Sequence, residues 1–164
     1  MSKVVYKIGD DVSTDIIYPG RYMATVLPSE TPQYTFADDK DFNNKLNNKE
    51  IPAKSFIVAG DNFGCGSSRE QAASCLKGWD PIIIARHVAR IFLQNAINLG
   101  LQMVICPDID ADLGDELEID GNVLKNITKG KEFKIVPLPP SKQAIIDAGG
   151  LVEFIRARLL AEKS

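Results

Sequence analysis

The stretch that decides the fold of this 164-residue chain is Gly60-Asp61-Asn62-Phe63-Gly64-Cys65-Gly66-Ser67-Ser68-Arg69-Glu70. The apolar run at residues 56–59 precedes it and predicts a buried strand, while residues 69–77 predict a helix. The turn between them contains three glycines, two adjacent hydroxyls and an arginine. A buried strand followed by a glycine-rich turn and a helix is typical of α/β domains.

The predicted helix start favours an anion site. Ser67 followed by Glu70 matches a capping box, so Ser67 is expected to be the N-cap and the helix to begin at Ser68. A helix N-terminus offers unpaired N–H groups and the positive end of the helix dipole. Arg69 adds a planar cation suited to carboxylate or phosphate. These residues predict an oxyanion or carboxylate site that contains a serine hydroxyl.

A purely structural role for this turn stays open, because many α/β domains join a strand to a helix in the same way. Two phosphate-binding loops fit it poorly. A Walker A loop requires a lysine before its hydroxyl residue, and this turn has none. A dinucleotide-binding fingerprint requires a third glycine where Arg69 stands, and arginine is too large for close packing of helix on strand.

Composition limits the classes of partner. The length predicts one domain over residues 1–164. A net charge of −3 and a pI near 5.2 give no electrostatic case for binding nucleic acid or an anionic membrane. No apolar run reaches the roughly 18 residues of a membrane span, and the first residues lack the apolar stretch of a signal peptide. A cytoplasmic protein is therefore expected.

Cysteine and histidine are too few for a metal centre in this chain. The three cysteines, Cys65, Cys75 and Cys106, show no Cys-x-x-Cys spacing, which predicts neither a disulfide framework nor a zinc site. His87 is the one histidine. We therefore expect this chain to bind no metal and no iron–sulfur cluster by itself.

The rest of the chain predicts an α/β domain with a mixed sheet covered by helices. Apolar runs predict further strands at residues 4–8, 82–85, 101–106, 116–120, 122–127 and 131–136. Helices are predicted at residues 86–99 and 141–146, with a last helix that ends near residue 161. Gly78 and Gly100 are expected to end helices. Residues 27–50 predict a mobile loop with one short helix near residues 37–44.

Residues 62–70 resemble the signature of the swivelling domain of the aconitase superfamily. From residue 7 to residue 159 the chain resembles the separate small subunits of 3-isopropylmalate dehydratase and homoaconitase-type hydro-lyases. The other matching motifs lie at residues 11–22, 89–101 and 149–151. The resemblance implies one layered swivelling domain with a partly barrel-like mixed sheet.

The resemblance also implies a reaction, the removal and return of water on a 2- or 3-hydroxy acid. In that family a serine alkoxide is the base, and the matching position is Ser67. Ser68 and Arg69 match the residues that bind the substrate carboxylate, and Arg21 is a further candidate for this role. Asp15 is expected to orient a polar partner.

The family's specificity loop corresponds to Tyr22-Met23-Ala24-Thr25. Its two middle residues, one apolar and one small, suit an apolar substituent on the substrate better than an extra carboxylate. The implied substrate is thus an alkyl-substituted malate, foremost isopropylmalate in leucine biosynthesis. Homoaconitate and 2,3-dimethylmalate stay open, because this loop and Gln71 differ from the isopropylmalate enzymes, in which a histidine is expected at the latter position.

The resemblance places the Lewis acid of the reaction, a [4Fe–4S] cluster, in a much larger partner subunit. This chain would then bind the hydroxy di- or tricarboxylic acid together with that partner and be inactive alone. An alternative of another class is a stand-alone anion-binding module that has lost its partner. A nucleotide-binding domain is disfavoured by the missing lysine and glycine of the turn.

Overall fold

A computed structural model describes residues 2–163, and within them seven strands form one sheet. The strands are Ser2–Lys7 (β1), Phe56–Ala59 (β2), Ile82–Ala85 (β3), Gln102–Ile105 (β4), Glu116–Asp120 (β5), Val123–Asn126 (β6) and Lys131–Lys134 (β7). The α-helices are Thr14–Ile17 (α1), Lys40–Asn47 (α2), Glu70–Trp79 (α3), Arg90–Leu99 (α4), Pro140–Asp147 (α5) and Leu151–Glu162 (α6). Gly20–Tyr22 and Thr31–Tyr34 are short 3₁₀ helices. In this part of the chain no helix has the length and apolarity needed to cross a membrane.

The sheet is mixed and curls toward closure. Its strand order is β4-β3-β2-β1-β5-β6-β7, with β1 to β4 parallel and β5 to β7 antiparallel to their neighbours. Just beyond the edge strand β7, the backbone N–H of Val136 donates to the carbonyl of Ile105 in the other edge strand at 2.8 Å. The two edges therefore meet, and the prediction of a partly barrel-like mixed sheet is confirmed.

The apolar central strands divide the core into two clusters. Side chains alternate along a strand, so each buried strand faces both ways. Ile57 of β2 and Ile83 of β3 pack on the side covered by α3 and α4. Val58 and Ile84, the next residues, pack on the inner side with Leu117 of the antiparallel part. This arrangement leaves the loops after the parallel strands together at one edge of the sheet.

The predicted capping box does not form. Helix α3 begins at Glu70, and Arg69 at the N-cap has an extended backbone (φ −61°, ψ 123°) with no side-chain capping bond. The preceding residues pair with flanking segments at Phe63 and Cys65, while Gly64 and Gly66 turn the chain with positive φ of 81° and 96°, and the helix starts only after this loop. The Ser67 hydroxyl consequently makes no hydrogen bond within residues 2–163.

Two other helix ends differ from the prediction. Gly78 lies inside α3, which ends instead at Trp79, and the C-cap residue Asp80 has the left-handed conformation (φ 53°). Helix α4 begins at Arg90, so His87 lies in the preceding loop rather than at a helix start. Gly100 ends α4 as predicted, with φ 75°.

The segment at residues 27–50 is packed into the core, and it is not the loose loop that its polar composition predicted. Its short helix is α2, a few residues later than expected. Phe36, Phe42 and Leu46 are buried, and the Phe42 ring stacks on Tyr6 of β1 at 3.9 Å between centroids. A few large apolar side chains therefore fix a segment that is otherwise polar.

Replacement of Gly78 by alanine is expected to lower the free energy of unfolding by about 1 kcal/mol or more, although alanine favours helices. A β-carbon on Gly78 would lie 2.1 Å from Cγ of Pro32. Urea unfolding measures the change. Gly9→Ala is the control, because a β-carbon there meets no atom within 4 Å. Equal stability of the Gly78→Ala variant and the wild type would contradict this close packing.

Candidate active site

The glycine-rich loop after β2 lies between two other segments and pairs with both. The backbone N–H of Gly64 donates to the Val12 carbonyl at 2.7 Å, and that of Thr14 donates to the Cys65 carbonyl at 2.8 Å. On the other side, the N–H of Phe63 donates to the His87 carbonyl at 3.1 Å. The motif at residues 11–22 and the loop at residues 60–70 thus form one platform.

Close packing explains one glycine of the loop. A β-carbon on Gly64 would lie 2.3 Å from Cγ of Phe92 in α4, and φ at this glycine is +81°. Both the ring contact and the left-handed backbone exclude a larger residue. Gly64 therefore allows the loop to pack closely against α4. The two serines that follow then lie at the start of α3.

Arg69 and Asp15 form the charged pair of the site. Nη1 of Arg69 donates to Oδ1 of Asp15 at 3.0 Å and to the carbonyl oxygen of Tyr18 at 3.0 Å. The N–H of Gly20 donates to the same carboxylate oxygen at 2.8 Å. The bond from Arg69, followed by that from Gly20, lowers the pKa of Asp15 below its usual value. Asp15 is therefore a carboxylate at neutral pH and orients the guanidinium.

The guanidinium still has hydrogen-bonding capacity. The Arg69 side chain is 15% exposed, and its Nε is buried without a partner among residues 2–163. A buried donor without a partner costs about 1–3 kcal/mol. The hydroxyl of Thr14 is likewise buried and unpaired in the described chain. Each of these buried donors needs a partner that the described residues do not supply, such as an ordered water or a bound ligand.

Ser67 and Ser68 are exposed and precede the first turn of α3. The first N–H groups of that helix have no partner within it, so they offer positive potential beside the two hydroxyls. Neither hydroxyl is used in a hydrogen bond inside the described residues. The site thus combines free hydroxyls, a helix N-terminus and an oriented guanidinium, which together can bind and stabilise an oxyanion.

The predicted specificity loop, Tyr22 to Thr25, lies against two other parts of the chain. The Tyr22 ring stacks on Tyr34 with centroids 4.0 Å apart and planes 10° apart. The Tyr18 hydroxyl donates to the carbonyls of Tyr22 at 3.0 Å and of Thr25 at 3.2 Å. Met23 and Ala24 are left exposed. The backbone of this loop is therefore fixed while its two middle side chains face outward.

Arg21 has a separate partner. Its Nη2 donates to Oδ1 of Asp38 at 2.6 Å, and its guanidinium carbon lies 4.7 Å from the centre of the Tyr22 ring. Both members of the ion pair are exposed. The structure thus joins Ser67, Ser68, Arg69 and Asp15 in one place and turns Arg21 toward the segment at residues 27–50.

The sequence did not predict that Tyr34, Asp38 and Gln71 contact candidate site residues, which are Tyr22, Arg21 and Met23 respectively. The first two belong to the segment that was predicted to be loose, and they contact the specificity loop and its neighbour Arg21. An aromatic residue in a polar segment was the available signal for Tyr34. Gln71 was noted only as a departure from histidine, and its contact with the loop depends on a pairing across 48 residues.

The residues of this chain do not fit an iron–sulfur cluster. Among residues 2–163, no group of three or more His, Cys, Asp and Glu side chains could hold a metal ion. Burial raises the pKa of Cys75 to about 12 and that of Cys106 to about 11, so both are thiols at neutral pH. Cys65 is half-buried and is the remaining free cysteine of the sequence.

Comparison with known proteins agrees with this geometry. The family model of the aconitase C-terminal domain matches residues 15–107. The 3-isopropylmalate dehydratase small subunit of Methanosarcina acetivorans is 45% identical, over 96% of this chain and 97% of that protein. The chain belongs to the family of 3-isopropylmalate dehydratase small subunits. The expected family is thereby confirmed.

Two further proteins are similar to this chain. The 2,3-dimethylmalate dehydratase small subunit of Eubacterium barkeri is 43% identical, over 93% of this chain and 94% of that protein. The crystal structure of 3-isopropylmalate dehydratase from Methanocaldococcus jannaschii superposes with a TM-score of 0.87 at 38% identity, over 98% of this chain and 96% of that one. The chain is thus a hydro-lyase small subunit, and this role implies a large-subunit partner.

Proposed function

We propose that this chain is the small subunit of a two-chain hydro-lyase that interconverts 2-isopropylmalate and 3-isopropylmalate in leucine biosynthesis. The observation that carries the proposal is the pair of free serine hydroxyls beside Arg69, which Asp15 orients at the start of α3. The names of the relatives support the substrate, because 3-isopropylmalate dehydratase small subunits are 45% identical to this chain. A single swivelling domain and a cytoplasmic location are parts of the same proposal.

Ser67 is proposed to be the base. Its alkoxide removes a proton from the carbon beside a substrate carboxylate, and the electron pair of that bond forms a double bond as hydroxide leaves the neighbouring carbon. Water then adds to the double bond in the opposite orientation. The hydroxyl binds to the carbon that lost the proton, and a proton binds to the carbon that lost the hydroxyl, which gives the isomer. An ordinary serine hydroxyl is a poor base, so its surroundings must favour the anion. The N-terminus of α3 and the charge of Arg69 supply positive potential at Ser67.

Ser68 and Arg69 are proposed to bind the carboxylate of the substrate. Among residues 2–163 only Nη1 of the guanidinium is used in hydrogen bonds, so Nη2 of Arg69 is a donor available to a carboxylate. Arg21 is a secondary candidate, because a substrate carboxylate would have to compete with Asp38 for it. The carboxylate of Asp15 already holds Nη1 of Arg69 and so fixes the direction in which the remaining donors point.

Departure of hydroxide from an alkyl malate needs a Lewis acid, and we propose that a [4Fe–4S] cluster of the large subunit supplies it. The small subunit would then be inactive alone and complete a site at the interface. The exposed Met23 and Ala24 side chains suit an apolar substituent such as isopropyl. 2,3-Dimethylmalate is the second candidate substrate because of the Eubacterium barkeri relative, and homoaconitate is the third.

The test is anaerobic co-expression with a candidate large subunit, followed by assays on 2- and 3-isopropylmalate, 2,3-dimethylmalate and homocitrate-type acids. Activity in the mixture and none in either subunit alone would support a split dehydratase, and the preferred acid would identify the substrate. Dehydratase activity of the isolated small subunit would contradict the proposal. No complex and no activity would favour the stand-alone anion-binding module.

The chain segment that carries Asp15 and the specificity loop also exposes apolar side chains, Ile16, Met23, Val26 and Leu27. We expect the double variant Val26→Asp and Leu27→Asp to weaken association with the large subunit about tenfold or more, which corresponds to about 1.4 kcal/mol. The physical reason is that charged groups at an apolar contact must lose water. Titration of labelled small subunit with large subunit measures the change.

The matched control is Val152→Asp in α6, because Val152 is 68% exposed and Val26 is 62% exposed. Loss of association in the Val152→Asp variant, with normal association of the double variant, would place the interface at α6 instead.

A further inference from the structure

Gln71 connects the candidate catalytic segment to the specificity loop. It is the second residue of α3 and follows Arg69 by two positions. Its side-chain Nε2 donates to the carbonyl oxygen of Met23 at 3.2 Å. The start of α3 therefore contains two functional groups. Arg69 at the N-cap is the proposed ligand of an anion, and Gln71 in the first turn holds the predicted specificity loop.

The other side-chain contacts that hold the loop are made by residues other than Gln71, and these side chains bind Tyr22 and Thr25. Stacking on Tyr34 fixes its first residue, and the Tyr18 hydroxyl binds the carbonyls of Tyr22 and Thr25. The N–H of Met23 donates to the Gly20 carbonyl at 3.1 Å, within the same 3₁₀ turn. Among the described residues, the bond from Gln71 is thus the side-chain restraint on the carbonyl of Met23. This bond sets where the peptide between Met23 and Ala24 lies relative to α3.

We propose that Gln71 is a specificity-determining positioning residue, which fixes the distance between the carboxylate-binding guanidinium of Arg69 and the exposed side chains of Met23 and Ala24. The inference rests on the proposed function, since it assigns the loop to the alkyl group of a substituted malate. Gln71 acts through the loop backbone and not by touching the substrate. Loss of its N–H lets the loop shift, so that large and small alkyl groups are discriminated less well.

The experiment uses the reconstituted complex of both subunits and two substrates, 3-isopropylmalate and 3-methylmalate. The variant Gln71→Met keeps the length of the side chain and removes the N–H donor. We expect the ratio of kcat/KM for the isopropyl over the methyl substrate to fall about fivefold, the effect of one lost hydrogen bond. Gln71→His keeps a ring N–H at this position and is expected to retain the wild-type ratio.

A matched control is Gln33→Met. The Nε2 of Gln33 donates to the Glu30 carbonyl at 3.0 Å, which is the same type of bond outside the specificity loop. An unchanged ratio in Gln71→Met would overturn the proposal. So would an equal loss for both substrates, because that result would show a general structural role. A similar fall in Gln33→Met would assign the effect to the stability of the region and not to Gln71.

A second readout separates this inference from the proposed function. Hydrogen–deuterium exchange of residues 23–25 in the complex is expected to be about fivefold faster in Gln71→Met than in the wild type. If the wild-type complex turns over no alkyl malate, the proposed function fails and the assignment to alkyl specificity fails with it. Faster exchange would then still support the positional role of Gln71, and unchanged exchange would overturn that role as well.

Discussion

The variant Ser67→Ala is expected to lower kcat of the reconstituted complex by about 10²–10⁴-fold, the range found for loss of a general base. KM is expected to change little, because Ser68 and Arg69 are the proposed carboxylate ligands. Turnover of the preferred alkyl malate under anaerobic conditions measures both constants. A kcat within threefold of the wild type would remove Ser67 from the reaction.

The fold makes this experiment easy to interpret. If Ser67 were a helix N-cap, its replacement would cost about 1 kcal/mol of stability. A fall in kcat could then come from lost stability as well as from the lost base. In the structure its hydroxyl is exposed and caps nothing. The free energy of unfolding of Ser67→Ala is therefore expected to lie within about 0.5 kcal/mol of the wild type. Ser141→Ala is the matched control, since Ser141 is an exposed serine of α5 whose hydroxyl is unpaired in the described chain.

The variant Arg69→Lys is expected to raise KM about 10–100-fold, because hydrogen bonds to charged groups contribute about 1.5–3 kcal/mol. Among residues 2–163 Arg69 uses one nitrogen, Nη1, for both Asp15 and the Tyr18 carbonyl, and its Nη2 stays unpaired. The single ammonium of lysine cannot hold these partners and also present a donor to the substrate in a fixed direction. Steady-state kinetics of the complex measure the effect.

Two further measurements accompany this variant. Arg90→Lys is the control, because Arg90 is exposed at the start of α4 and forms no ion pair in the part of the chain that the structure describes. Asp15 has a lowered pKa, so it loses its charge only when the pH falls below the usual range of a carboxyl group. The pair with Arg69 is therefore intact at pH 6 and at pH 8, and the KM ratio of variant to wild type is expected to be equal at both. A KM within twofold of the wild type would exclude Arg69 as the carboxylate ligand.

Much of the fold could be predicted because the signals were local. The apolar runs of β2 and β3 have the continuous hydrophobicity of strands buried on both faces, and both were placed to the residue. The predicted strands at residues 116–120 and 122–127 flank Asp120-Gly121, a typical hairpin turn, and they pair as β5 and β6, while Gly100 predicted the end of α4. The candidate site was predicted from one loop whose residue types, two adjacent serines and an arginine after glycines, suit the binding of an oxyanion.

By itself the sequence determined the α/β class, the strand and helix order and the residues to test as a site, since these follow from periodicity and residue chemistry. Only the tertiary structure decided that Ser67 is no N-cap, because Phe63 and Cys65 pair with other segments of the chain and α3 begins only at Glu70. It also decided that Gly78 lies inside a helix against Pro32 and that Gln71 holds Met23. Such contacts depend on which segments the sheet brings side by side, and local propensity contains no information about partners far along the chain.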